Sequence, residues 1–128
     1  MRAPIESASS IAIVQTSVAW THWLRLRGLL GRPPLRAGSG RGIFLPNCRS
    51  IHMIGMRYAI DVVFVDERFV VVDVREAVRP MRFAKCRRAK HTIELAAGDA
   101  ALLGLAPGAP VRVELAPWSV IADGAGDA

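Results

Sequence analysis

Two apolar runs joined by a three-residue polar link constrain this chain more than anything else in it. Ala59–Val65 reads AIDVVFV, Phe69–Arg75 reads FVVVDVR, and Asp66-Glu67-Arg68 lies between them. Both runs are rich in β-branched and aromatic residues, which suit a pleated, extended backbone better than a helix. Two such runs across a short polar link predict a β-hairpin. The link contains no Asn-Gly or Asp-Gly, so the sequence leaves its turn type open. Alternation puts Ile60, Val62 and Phe64 on one face of the first strand, and Asp61, Val63 and Val65 on the other. In the second strand it groups Val70, Val72 and Val74 against Phe69, Val71 and Asp73.

The rest of the chain supplies more short strands and one helical pattern. Ile11–Gln15 and Gly42–Leu45 are brief β-branched runs, the second stopped by Pro46. Thr16 or Ser17 is a suitable N-cap for a helix running to Leu30, where Ala19, Trp23, Leu26 and Leu30 fall on one face. Gly31, Pro33 and Pro34 end that helix. Leu35–Gly42 is a glycine-rich connector with no P-loop lysine after it, so it reads as a plain loop. Ser50–Ile54 is extended, with Gly55 as a bend. Pro80 and the lack of periodicity make Val78–Ala89 a long loop. His91–Ala96 returns to strand with Ile93 and Leu95 inward, Gly98-Asp99 opens a short helical turn, and Val111–Leu115 is a final strand. The fold class is therefore α+β: a bent, mostly antiparallel sheet or partial barrel of about seven strands with one main helix near the N-terminus. A flexible arm is expected over residues 1–10, one globular domain over 11–117 and a flexible tail over 118–128.

Composition narrows the class. Apolar residues make up 52% of the 128 and charged residues 22%, a globular balance. No apolar run approaches the ~20 residues of a membrane span. The run Ile11–Val14 is too short for a secretory core, so a cytoplasmic location is expected. Two cysteines, Cys48 and Cys86, are too few for a disulfide framework. The net charge of +6 is local: Arg75–Lys90 holds seven bases against Glu76, and the remainder is formally neutral. An argument for an anionic partner must rest on that segment.

Taken together, these residues resemble the family known as domain of unknown function 192. The resemblance is carried by Arg27-Gly28-Leu29-Leu30-Gly31-Arg32, by Pro46–Met53, by Gly55-Met56-Arg57, and by Ile60–Asp66. Cys86, Thr92–Gly98, Leu103-Gly104-Leu105 and Pro107-Gly108 extend it, so that it spans about Ile11 to Leu115. It implies a compact β-rich single domain and no established activity. Two departures stand out: Asn47 where a proline is frequent, and the link Glu67-Arg68 where a glycine-containing turn is usual.

Asp61 is the residue most in need of explanation, because it interrupts an apolar strand and a buried carboxylate must be paired or hydrogen-bonded. It is either a general base or an anchor for His52, or else a structural carboxylate bound to backbone N–H groups or to Arg57. Ser50, His52 and Asp61 form a hydrolytic set by residue type, without the G-x-S-x-G elbow. Cys48-x3-His52 with Cys86 and His91 offers four zinc-type ligands but lacks the usual C-x2-C knuckle. A Cys48–Cys86 bridge would need Cα atoms within about 7 Å. No metal or other cofactor is expected. The leading reading is a non-enzymatic binding module for a small anionic ligand, its pocket bordered by Cys48, Ser50, His52, Met56, Arg57 and Asp61, with Arg82 nearby. The alternatives are a hydrolase-like enzyme using His52 and Asp61, and weak RNA binding through residues 75–90. A nucleic acid is the weaker partner, because only Phe83 interleaves the bases.

Overall fold

A computed structural model describes residues 11–18, 35–53 and 58–115. In chain order the described elements are β1 (Ala12–Val18), β2 (Arg41–Leu45), β3 (Ser50–His52), β4 (Ile60–Val65), β5 (Val71–Val78), β6 (Phe83–Lys85), β7 (His91–Ala96), α1 (Asp99–Leu102) and β8 (Val111–Leu115). Six strands form one mixed sheet in the order β5-β4-β7-β2-β1-β8, and β3 and β6 form a separate two-stranded ribbon. β1 runs parallel to both β2 and β8, whereas β2–β7, β4–β7 and β4–β5 are antiparallel. The sheet does not close into a barrel. Its outer strands meet only at one corner, where Val70 bridges Pro110 and the Val71 N–H donates to Ala109 O at 2.8 Å.

The hairpin Ile60–Val78 is built by bulges. Val62 faces Arg75 and Ile60 faces Val78, so Glu76 and Ala77 together oppose Asp61, with Ala77 at φ 51°. A second shift sets Val65 against Val71 and Phe64 against Asp73, leaving Val72 as the extra residue. Simple alternation therefore fails in β5. Val74 packs with Phe69 and Val71, not with Val72 as the sequence pattern predicts. The connecting turn is organised by Asp66, whose Oδ1 accepts the N–H groups of Arg68 (2.8 Å) and Val70 (3.1 Å). Phe69 takes the left-handed position, at φ 61°, that glycine fills in similar loops. Its ring stacks on His91 at 5.1 Å and lies 5.7 Å from Phe44.

Both faces of the sheet are covered. Every residue of β4 is buried, which explains a near-continuous apolar run instead of clean alternation. On one face Ile43, Leu45, Ile60, Val62 and Phe64 pack against the ribbon through Ile51 and Ala84. On the other, Val14, Val63, Val65, Ile93, Leu95 and Val111 pack with Ala100 of α1 and Leu105.

Several sequence expectations change. β1 continues to Val18, so neither Thr16 nor Ser17 caps a helix; Thr16 is buried and its hydroxyl donates to Glu114 O across the β1–β8 pair. The remainder of the expected helix, residues 19–30, lies outside the described residues. The described helix is the four-residue α1 in the second half of the chain. The basic stretch expected as one loop contains β6, and the strand expected from Gly42 begins one residue earlier, at Arg41. No helix among the described residues is long and apolar enough to cross a membrane.

Candidate functional site

Asp61 comes first because the sequence singles it out. Its residue is 0% exposed, and its two carboxylate oxygens accept three backbone N–H groups. Ala77 donates to Oδ1 at 2.9 Å; Gly98 and Ala100 each donate to Oδ2 at 3.0 Å. The first of these donors sits in the β5 bulge, and the other two belong to the start of α1. The carboxylate thus braces three elements, satisfying donors that neither the bulged ladder nor the first helical turn can satisfy alone.

The other expected site residues lie elsewhere. β3, with Ser50 and His52, belongs to the ribbon on the face of Ile60 and Val62, while Asp61 shares the opposite face with Val63. His52 is placed by its backbone, opposite Phe83. The backbone of His52 and the Asp61 carboxylate thus fall on opposite faces of the sheet. Met56 and Arg57 lie outside the described residues. Cys48 is half-buried; its thiol donates to Ser50 O at 3.1 Å, and its own carbonyl accepts from the Thr92 hydroxyl at 2.7 Å. Cys86 is buried, and both thiols are free. Among the described residues no three His, Cys, Asp or Glu side chains are grouped to hold a metal ion.

Two buried acids and a half-buried phenol escape a reading by alternation. Glu94 is 2% exposed in β7, opposite Val62 and Ile43 and so on the first face. Burial, reinforced by the negative charge of Glu94, raises the Tyr58 phenol above its ordinary pKa, with the nearby Leu35 backbone acting the other way. Among the described residues the phenol oxygen makes no hydrogen bond. Asp99 is buried at the start of α1, where its Oδ1 accepts the Gly38 N–H at 2.7 Å. The available signal for Glu94 is the one that marks Asp61: an acid inside a strand whose neighbours are apolar on both faces.

The seven bases of residues 75–90 divide into two groups. Arg75 pairs with Asp73 at 2.7 Å, donates to Lys85 O at 3.0 Å and lies over the Phe64 ring. Arg88 donates to Val72 O at 3.3 Å, covering a carbonyl of β5. Arg75 thus ties the outer strand to the ribbon, and Arg88 ties it to the segment that follows β6. Arg79, Arg82, Lys85, Arg87 and Lys90 are exposed, and no carboxylate among the described residues is within ion-pair distance of them.

A family model, DUF192, described as an uncharacterized ACR family, matches residues 4–113. A search of curated proteins finds no match. Two solved structures share the fold. One is a "putative transcription regulator" from Sinorhizobium meliloti 1021, with 20% identity, a TM-score of 0.61, and coverage of 73% of this chain and 76% of that one. The other is a protein of unknown function from Novosphingobium aromaticivorans DSM 12444, with 22% identity, a TM-score of 0.62, and coverage of 74% and 71%.

Proposed function

The chain belongs to the DUF192 family, and from that premise we propose that it is a non-enzymatic binding module that recognises anionic groups through the bases around β6. The observation that carries this reading is the contrast within the basic segment. Arg75 and Arg88 are engaged by the protein itself, while Arg79, Arg82, Lys85, Arg87 and Lys90 face solvent without an acidic partner among the described residues. Exposed like charges that nothing local neutralises repel one another, and an anionic partner relieves that repulsion. Of the pocket inferred from sequence, Arg82 and Ser50 border this surface, whereas Asp61 serves the frame.

The test is titration calorimetry of the full chain with inorganic polyphosphate at rising salt. Affinity is expected to fall steeply with ionic strength, because the contacts are exposed charges. Arg82→Glu combined with Lys85→Glu is expected to weaken binding about tenfold or more, with the melting temperature little changed. No binding, or affinity indifferent to both salt and charge reversal, refutes the reading.

A further inference from the structure

We propose that the Arg79–Arg82 end of the β3–β6 ribbon docks onto an anionic phospholipid membrane surface. This rests on the anion-recognition reading and names its partner. The ribbon ends in the turn Arg79–Arg82, closed by the Arg82 N–H donating to Arg79 O at 3.2 Å. Pro80 fits the second position of such a turn, and the third requires a positive φ, for which glycine is the usual residue. Met81 holds that third position at φ 72° and is 71% exposed. A residue with a Cβ is strained in this conformation, and a long apolar chain in water gains nothing from it. Two residues on, Phe83 is 62% exposed on the ribbon's outer face, in register with His52 and two residues from Lys85. The turn is held to the molecule at its base, where Met53 exchanges backbone hydrogen bonds with Met81 (3.0 Å) and Arg82 (2.7 Å).

The surface thus combines two apolar side chains at a tip with Arg79 and Arg82 beside them and Lys85 behind. Stable peripheral attachment to a membrane takes two signals, an apolar insertion and basic residues facing anionic headgroups. Both are present within seven residues, Arg79 to Lys85. A single-stranded nucleic acid fits less well, since it calls for successive aromatic platforms and Met81 has no ring to stack on.

The test is co-sedimentation of the full chain with vesicles of phosphatidylcholine alone and of phosphatidylcholine with phosphatidylserine, alongside polyphosphate binding. The expected result is attachment to the serine-lipid vesicles only. Met81→Gly should relieve the turn, so the protein stays folded with an unchanged or higher melting temperature. Together with Phe83→Ser it should reduce vesicle attachment about tenfold while polyphosphate affinity is retained. Attachment that survives both substitutions overturns the apolar tip. Polyphosphate binding without vesicle attachment overturns the membrane partner and leaves the anion reading intact; binding to neither removes both. Tighter binding to single-stranded RNA, lost with Phe83→Ser but not with Met81→Gly, makes the surface an RNA interface instead and overturns the proposal.

Discussion

Three N–H groups converge on Asp61, and the Ala100 donor among them is fully buried, with no other acceptor in the first turn of α1. Asp61→Asn replaces one acceptor oxygen with an NH2 donor, so at least one of the three meets another donor. A loss of about 2–4 kcal/mol is expected in urea denaturation. A variant as stable as its parent would show that the brace is dispensable. His91 is a second residue whose hydrogen bond fixes its chemistry. Its Nδ1 accepts the Asn47 N–H at 3.0 Å, so the neutral ring carries its proton on Nε2. Burial first, and the neighbouring Lys90 charge second, lower its pKa from the usual 6.5. Below 6.5 the unfolded chain then binds more protons than the folded one, so stability rises with pH in that window. The contribution is present above 6.5 and is lost as pH falls toward the lowered value. His91→Phe keeps a ring against Phe69 but removes the titration. Its melting temperature should fall less between pH 7 and pH 5 than that of the parent; an equal fall would refute the assignment.

Among the elements, strands with apolar runs were legible and strands held by side-chain devices were not. β4, β7 and β8 announce themselves by β-branched content. β6 does not: only Ala84 of Phe83-Ala84-Lys85 points inward, so three residues offer no pattern to read. The bulges in β5 are equally silent, because the Asp61 carboxylate that fills one of them comes from another strand. The turn after β4 lacked its glycine because Phe69 takes that backbone position while its ring packs on His91 and Phe44. Gly42 also has a role that spacing could not reveal. A Cβ on it would lie 2.6 Å from Glu94 O and 2.8 Å from Leu95 Cδ2, at the end of the β2–β7 register where Gly42 faces Leu95. Gly42→Ala should therefore cost about 3 kcal/mol by forcing two central strands apart. Thermal unfolding measures it, and an unchanged midpoint would mean that the strands separate freely.

For the molecule as a whole, frame and surface are divided. The acids that interrupt strands, Asp61 and Glu94, are enclosed in the frame, and the unneutralised charge lies on the ribbon side. Asp61 was conspicuous in the sequence for a sound physical reason, an isolated carboxylate among valines. Its role was not legible, because its three donors lie 16 to 39 residues away along the chain. Glu94 passed unnoticed because alternation assumes one wet face, and β7 has none. The position of β1 has a consequence for the order of assembly. β1 is made first among the described strands, yet β8, its partner from Ala12↔Val111 to Thr16↔Leu115, is made last. During synthesis β2, β4 and β7 can join while β1 still has one bare edge. The last of the described strands to leave the ribosome is the one that covers it, and contacts this distant in sequence slow folding. A nascent chain stalled before residue 111 would therefore present β1 as a template for a neighbour's strand, a hazard that ends only once β8 has emerged to pair with it.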